Sequence, residues 1–336
     1  MNEIQSAFDK YREKVEQQRE EIDKRIIGLP KFIEAILICF YSHSERKLGP
    51  HLLVEGKVGK GKTATLETFA RTISCCTFSR IQFTPDLKPL DLVRIVDQRE
   101  DRSLEFHPGP LFANIILADE INRAHEKTRA ALLEAMGERQ ITIGQTTYPL
   151  EEPFFVMATE NPIDVEGTFM LGAAQLDRFM MEIYTESLSE EEELHIAETH
   201  QEIAPEIKQV ISKAEVLEIR DFIRQNIYVD PDIRRDMIRI VRALRPEGGL
   251  VNPKEFYMLP EGERGHLFLE RGAKTRAFLK GRDHVTLSDV AALAFPVLNH
   301  RIGFQYAHND SIKTQRSSEL ITRAFEKVVE DGAHGV

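Results

Sequence analysis

The chain has 336 residues, 42% hydrophobic and 29% charged, with a formal net charge of −11. That length and apolar content provide for one large or two medium folded domains and exclude a disordered chain. The acidic balance argues against a surface built for general nucleic-acid binding, though not against a local basic channel, and weighs the partner question toward protein.

The first 24 residues are dense in Glu, Lys and Gln, unlike a charged-then-apolar leader, and no apolar run reaches about 18 residues. The expectation is a cytoplasmic protein without a membrane span. Ile4, Phe8, Tyr11 and Val15 share one helical face, so residues 1–25 should form an N-terminal helix packed on the body. Arg25-Ile26-Ile27-Gly28-Leu29-Pro30 then reads as a turn before an apolar helix from Phe32 to Tyr41. Cys39, Cys75 and Cys76 sit in apolar or helical stretches and read as reduced core thiols.

Next comes Gly56-Lys57-Val58-Gly59-Lys60-Gly61-Lys62-Thr63, between the β-compatible run His51 to Glu55 and a helical run in which Leu66, Phe69 and Ala70 fall at helical spacing. This pattern is a phosphate-binding loop. Glycines let the backbone wrap an anion so that successive N–H groups and the helix N-terminus point at it. Gly56, Val58, Gly59, Lys60, Gly61, Lys62, Thr63 and Ala64 are the candidate contacts. Lys62 adds a point charge, and the Thr63 hydroxyl suits Mg²⁺.

Four further strand-like runs follow: Ser79 to Phe83, Asn114 to Ala118, Phe154 to Ala158 and Met180 to Tyr184. Several are continuously apolar, as strands covered on both faces should be. The pattern predicts a doubly wound, parallel, five-stranded α/β core over residues 26–187, with functional groups at the carboxyl ends of the strands. Asp119 and Glu120 leave one such end and are assigned as the Mg²⁺-holding carboxylate and the residue that polarises the attacking water. Asn161, leaving the neighbouring strand, could orient that water. Hairpin-like insertions at about Leu92 to Pro108 and Gln140 to Leu150 are candidate substrate-facing projections.

Residues 188–308 read as an all-α lid, with helical periodicity over Ser189–Ile203, Lys213–Ile227, Asp232–Leu244, Leu267–Lys280 and Leu287–Leu298. The Gly/Pro-rich stretch 246–270 reads as a lid loop or short hairpin, and residues 309–336 as a last helix and tail. His195 and His200 do not share a helix face, and His125-Glu126 lacks a second His, so no metal beyond Mg²⁺ is indicated.

These residues resemble the AAA+ ATPases, and within them the MoxR family. The likeness runs through Phe83-Thr84-Pro85-Asp86-Leu87, Pro108-Gly109-Pro110-Leu111-Phe112-Ala113, Leu117-Ala118-Asp119-Glu120-Ile121-Asn122-Arg123-Ala124 and Gln175-Leu176-Asp177-Arg178-Phe179, and resumes from Arg271 to Arg301. The resemblance implies ATP and Mg²⁺ as cofactors and a ring homo-oligomer, a hexamer. It implies Arg178 as an arginine finger reaching a neighbour's γ-phosphate, Arg276 as a lid sensor acting in cis or in trans, and Ile27 and Gly28 as adenine-side contacts. It also implies protein clients, with von Willebrand factor A domain proteins among the partners. Val58 and His125 stand where the family usually has Pro, and neither removes a catalytic group; Lys274-Thr275, beside Arg276, stands where the family has Ser-Pro.

The leading reading is a Mg²⁺-dependent ATPase that remodels, assembles or matures partner proteins. A nucleic-acid motor with the same inserted hairpins is the alternative from another class. Its hairpin should present Lys or Arg to phosphates, yet Gln140 to Pro153 contains neither. A nucleotide-gated scaffold with little turnover is the third reading, and intact Lys62, Asp119 and Glu120 speak against it.

Overall fold

The computed structural model of the protein describes residues 2–56, 61–93, 95–98, 104–106, 108–143, 145–161, 169–185, 187–199, 205–260, 262–305 and 310–333. At its centre is a five-stranded sheet of β1 (Leu52–Glu55), β2 (Phe78–Gln82), β3 (Ile115–Asp119), β4 (Phe155–Glu160) and β5 (Met181–Tyr184). All neighbours are parallel, in the spatial order β5-β1-β4-β3-β2. The sheet is doubly wound, and its strands agree with the sequence expectation to within two residues at each end.

Continuous apolarity has a direct cause here. Successive side chains of a strand point to opposite faces. Leu52, Val54, Ile115, Leu117, Phe155 and Met157 enter one buried cluster, whereas Leu53, Ile116, Ala118, Val156 and Ala158 enter the other. Both faces are therefore core. The first is covered by α2 (Pro30–Tyr41) and α3 (Lys62–Arg71), the second by α4 (Glu126–Glu138). Antiparallel pairs at 95–98 with 104–106 and 140–143 with 146–149 occupy the two predicted insertions. The expected charged tip of the first lies largely outside the described residues.

The carboxy-terminal part contains α5 (Glu190–Thr199), α6 (Lys213–Asn226), α7 (Pro231–Ala243), α8 (Arg264–Leu279), α9 (Leu287–Leu298) and α10 (Asp310–Ala333). Helix starts are chemically marked. Ser212 and Glu215 form a capping box at α6, and Thr286 and Asp289 form one at α9. Two short strand pairs add to this helical lid. Residues 211–212 lie parallel to 73–74 of the core, and Phe256–Met258 pairs with Gly303–Phe304. The stretch 246–270 is therefore not a self-paired hairpin: after two short 3-10 turns, one strand crosses to a partner nearly fifty residues on, and α8 then starts at Arg264.

The amino-terminal helix α1 (Asn2–Asp23) packs on the body. Its Phe8 ring meets Phe222 at 6.2 Å and Phe278 at 5.3 Å, both lid residues. Farther along, the fully buried Gln18 donates to Thr72 Oγ1 at 2.8 Å and accepts from the Tyr41 hydroxyl at 2.6 Å. One helix thus grips both lid and core. Cys39 is buried, and burial pushes its thiol far up; Cys75 is exposed, in a left-handed turn at φ 61°, and departs from the core placement expected of it.

Arg220 of α6 is a second tie. Buried, it stacks on the Phe40 ring and donates to Phe40 O at 2.7 Å and to Glu152 Oε2 at 2.9 Å. Despite burial, Glu152 is held below the usual carboxylate range by Arg220 and Arg139. Its contribution to stability is therefore full above that range and lost as pH falls through its lowered pKa. Arg220→Met should cost about 2–3 kcal/mol in urea unfolding at neutral pH, because Glu152 then keeps only Arg139 and the Phe154 N–H. The loss should shrink in acid, where Glu152 is protonated in both proteins.

Candidate functional site

The carboxyl ends of β1, β2, β3 and β4 open on one cleft of about 400 Å³. It is lined by Gly61, Lys62, Thr63 and Ala64 from the start of α3, by Arg80 and Gln82 of β2, and by Asp119, Glu120, Thr159, Glu160 and Asn161. Gly56 directly follows β1 beside it, and Gly61 takes φ 74°, a left-handed conformation that lets the loop turn directly into α3. Lys62 is buried, and its ammonium donates to Gly56 O at 2.6 Å. Burial lowers its pKa, while the nearby Asp119 and Glu120 carboxylates pull it back up. Val58, Gly59 and Lys60 lie outside the described residues.

The two carboxylates are held differently. Asp119 Oδ1 accepts from the Thr159 hydroxyl at 2.7 Å, and its Oδ2 pairs with Arg80 at 2.7 Å. Glu120 sits at φ 55°, ψ 50°, an uncommon conformation for a side-chain-bearing residue. That turn takes the chain out of β3, and the Glu120 N–H donates to Thr159 Oγ1 at 2.8 Å. Its Oε2 meets Gln82 Nε2 at 3.1 Å and Arg123 Nε at 3.0 Å. One hydroxyl thus ties the side chain of Asp119 to the backbone of Glu120. Thr159, Arg80 and Gln82 were missed in the sequence. The spacing of Arg80 and Gln82, two apart and so on one strand face, was the available signal.

Beside this polar cleft lies a more apolar cavity of about 490 Å³, between α2, β5, α8 and α9, lined in part by Gly28, Leu29, Phe32, Tyr184, Arg276 and Pro296. Leu29 connects the two, since its side chain also approaches Gly61. Of the adenine-side candidates, Gly28 lines the cavity and Ile27 does not. Arg276 reaches it from α8, bonded to Asp289 Oδ1 at 2.6 Å and 3.7 Å from Glu34. Asp289 is fully buried yet held down to about 2, because Arg282, the Thr286 N–H and Arg276 outweigh the desolvation that would raise it.

Arg178 is elsewhere. It precedes β5, so it stands at the amino end of a sheet whose cleft is at the carboxyl end, about 13 Å of strand away. Its guanidinium lies over Gly137, where a side chain would collide with it, and donates to Leu133 O at 2.7 Å. It belongs to neither cavity of its own chain. Among the described residues no cluster of three or more His, Cys, Asp or Glu could hold a metal, and no helix is long and apolar enough to cross a membrane.

Comparison with known proteins agrees with this fold. Residues 51–181 match the ATPase family associated with various cellular activities (AAA), and residues 259–322 match the AAA lid domain. The chain is 39% identical to Chaperone MoxR1 of Mycobacterium tuberculosis over 306 residues, 90% of this chain and 78% of the relative. It is 29% identical to Protein MoxR of Methylorubrum extorquens, with 92% of each chain covered. A solved structure of a candidate ATPase from Cytophaga hutchinsonii superposes with a TM-score of 0.84 at 36% identity, covering 96% of this chain and 98% of that one.

Thr159→Val keeps the shape and strand preference of Thr159 but removes both of its hydrogen bonds. Leaving the Glu120 N–H without its acceptor should destabilise by about 1–3 kcal/mol in denaturant unfolding. ATP turnover should fall with little change in nucleotide affinity measured by calorimetry, since Lys62 and the helix start are untouched.

Proposed function

The chain belongs to the MoxR family of AAA+ ATPases, and we propose that it hydrolyses ATP in a ring of identical subunits to remodel or mature partner proteins. In this reading Gly56 to Ala64, Lys62 among them, bind the phosphates, and Gly28 borders the adenine. Thr63 and Asp119 would hold Mg²⁺, for which a hydroxyl and a carboxylate are fitting oxygen donors completed by phosphate and water. Bound there, the ion would neutralise charge on the transferred phosphoryl group. Glu120 would polarise the attacking water, and Asn161 would orient it. Arg276, lining the cavity of its own chain, is assigned to its own nucleotide, which favours action in cis.

The observation that carries the ring is the position of Arg178, at the far end of the sheet from its own phosphate cleft. A cationic finger so placed would serve a site on another subunit, where it would stabilise transition-state charge. A hexamer is the ring size we favour. Protein clients are supported by a relative named as a chaperone, by the net negative charge and by the absence of Lys and Arg from residues 140–153. Von Willebrand factor A domain proteins are the client class we favour, and the cytoplasm the compartment.

ATP turnover per subunit should rise with protein concentration. Glu120→Gln and Arg178→Ala should each be inactive alone, and mixing the two should restore part of the activity, since some interfaces then pair an intact Glu120 with an intact Arg178. Turnover that is independent of concentration and survives Arg178→Ala would reduce the protein to a monomeric nucleotide switch.

A further inference from the structure

The backbone on both sides of Arg178 is held by the lid. Arg301, in the turn that follows α9, donates from Nε to Asp177 Oδ1 at 3.0 Å and from Nη2 to Asp177 O at 3.2 Å and Phe179 O at 2.8 Å. His300 adds a contact from Nε2 to Phe179 O at 3.1 Å. The other carboxylate oxygen of Asp177 is taken by Arg264 Nη1, from the first turn of α8, at 2.7 Å. Both carbonyls flanking Arg178 and both oxygens of Asp177 are thereby engaged by lid residues.

Holding two parts of a chain together does not require this. An apolar contact does so without desolvating a charge, whereas Arg301 is only 2% exposed, with its guanidinium stacked on the Phe268 ring at 5.3 Å. A planar fork bonded to two carbonyls and a carboxylate within three residues specifies position and direction. The helices that carry it also reach the nucleotide cavity. Arg264 and Arg276 are at opposite ends of α8, about 18 Å apart along its axis. Asp289, which binds Arg276, lies in the first turn of α9, and Arg301 follows that helix's last turn.

We propose that Arg301 and Arg264 are positioning residues through which the lid of one subunit sets the Arg178 that this subunit presents to its neighbour. This rests on reading Arg178 as a finger acting in trans. A nucleotide that shifts Arg276 and Asp289 moves α8 and α9, and these carry the Asp177-Arg178-Phe179 segment with them. Each site then reports its state to the next one around the ring.

The test uses full-length Arg301→Lys, which keeps the charge and loses the fork, alone and mixed with the two inactive variants. Alone, its kcat should fall at least about tenfold with KM for ATP within about twofold, since its own nucleotide site is intact. Mixed with Glu120→Gln, which supplies an intact finger, activity should return; mixed with Arg178→Ala, which supplies none, it should not. Unchanged kcat, no return with Glu120→Gln, or return with Arg178→Ala each overturns the proposal. If Arg301→Lys does not assemble, Arg264→Met, at the more exposed end of the network, carries the same mixtures and the same outcomes. If Glu120→Gln and Arg178→Ala fail to complement each other, the shared site itself is lost. If they succeed and the Arg301 or Arg264 mixtures fail, only the lid coupling is.

Discussion

Two carboxylates must emerge from a strand buried on both faces, and the rest of the site depends on how that is done. Strand β3 is apolar until Asp119, so no charge is buried within that strand. At its end a single hydroxyl, that of Thr159 on the adjacent strand, donates to Asp119 and accepts from the Glu120 N–H. A neighbouring backbone strand alone could not do both, because each of its groups is already committed to the ladder. The left-handed turn at Glu120 then separates the two side chains. Asp119 faces Arg80, and Glu120 faces Gln82 and Arg123. Adjacent like charges are kept apart by geometry and by different cations.

Much of this was legible in the sequence where one physical requirement dominates a stretch. Strands with two buried faces have to be apolar throughout, which is why β1, β3 and β4 stood out. Lid helices have to show a three- and four-residue period, and α6, α7 and α9 begin and end within a residue of their expected limits. Capping boxes at Ser212 and Thr286 reinforce those starts. The phosphate cleft was legible because its loop is contiguous.

What escaped depends on partners distant in the chain. Thr159 looks like an ordinary strand residue until Asp119 lies beside it. Pairs such as 73–74 with 211–212 are too short to show a period. The inward turn of Arg178 onto Leu133 O, across 45 residues, leaves no local trace, and neither does the exposure of Cys75. The resemblance supplied a role for Arg178 but not its surroundings, and those surroundings tie it to the lid.

Gln18 has a consequence for what counts as the folding unit. The match to the AAA family begins at residue 51, yet Gln18 is fully buried between Tyr41 and Thr72, and Phe8 fills a slot between two lid phenylalanines. The segment matched by the family model is therefore shorter than the segment required by packing. Without α1, Phe222 and Phe278 would lose the Phe8 ring between them and the Thr72 side chain its Gln18 partner. The amino-terminal helix acts as a strap between core and lid. Any travel of the lid has to be small enough for that strap to follow, or large enough to release it.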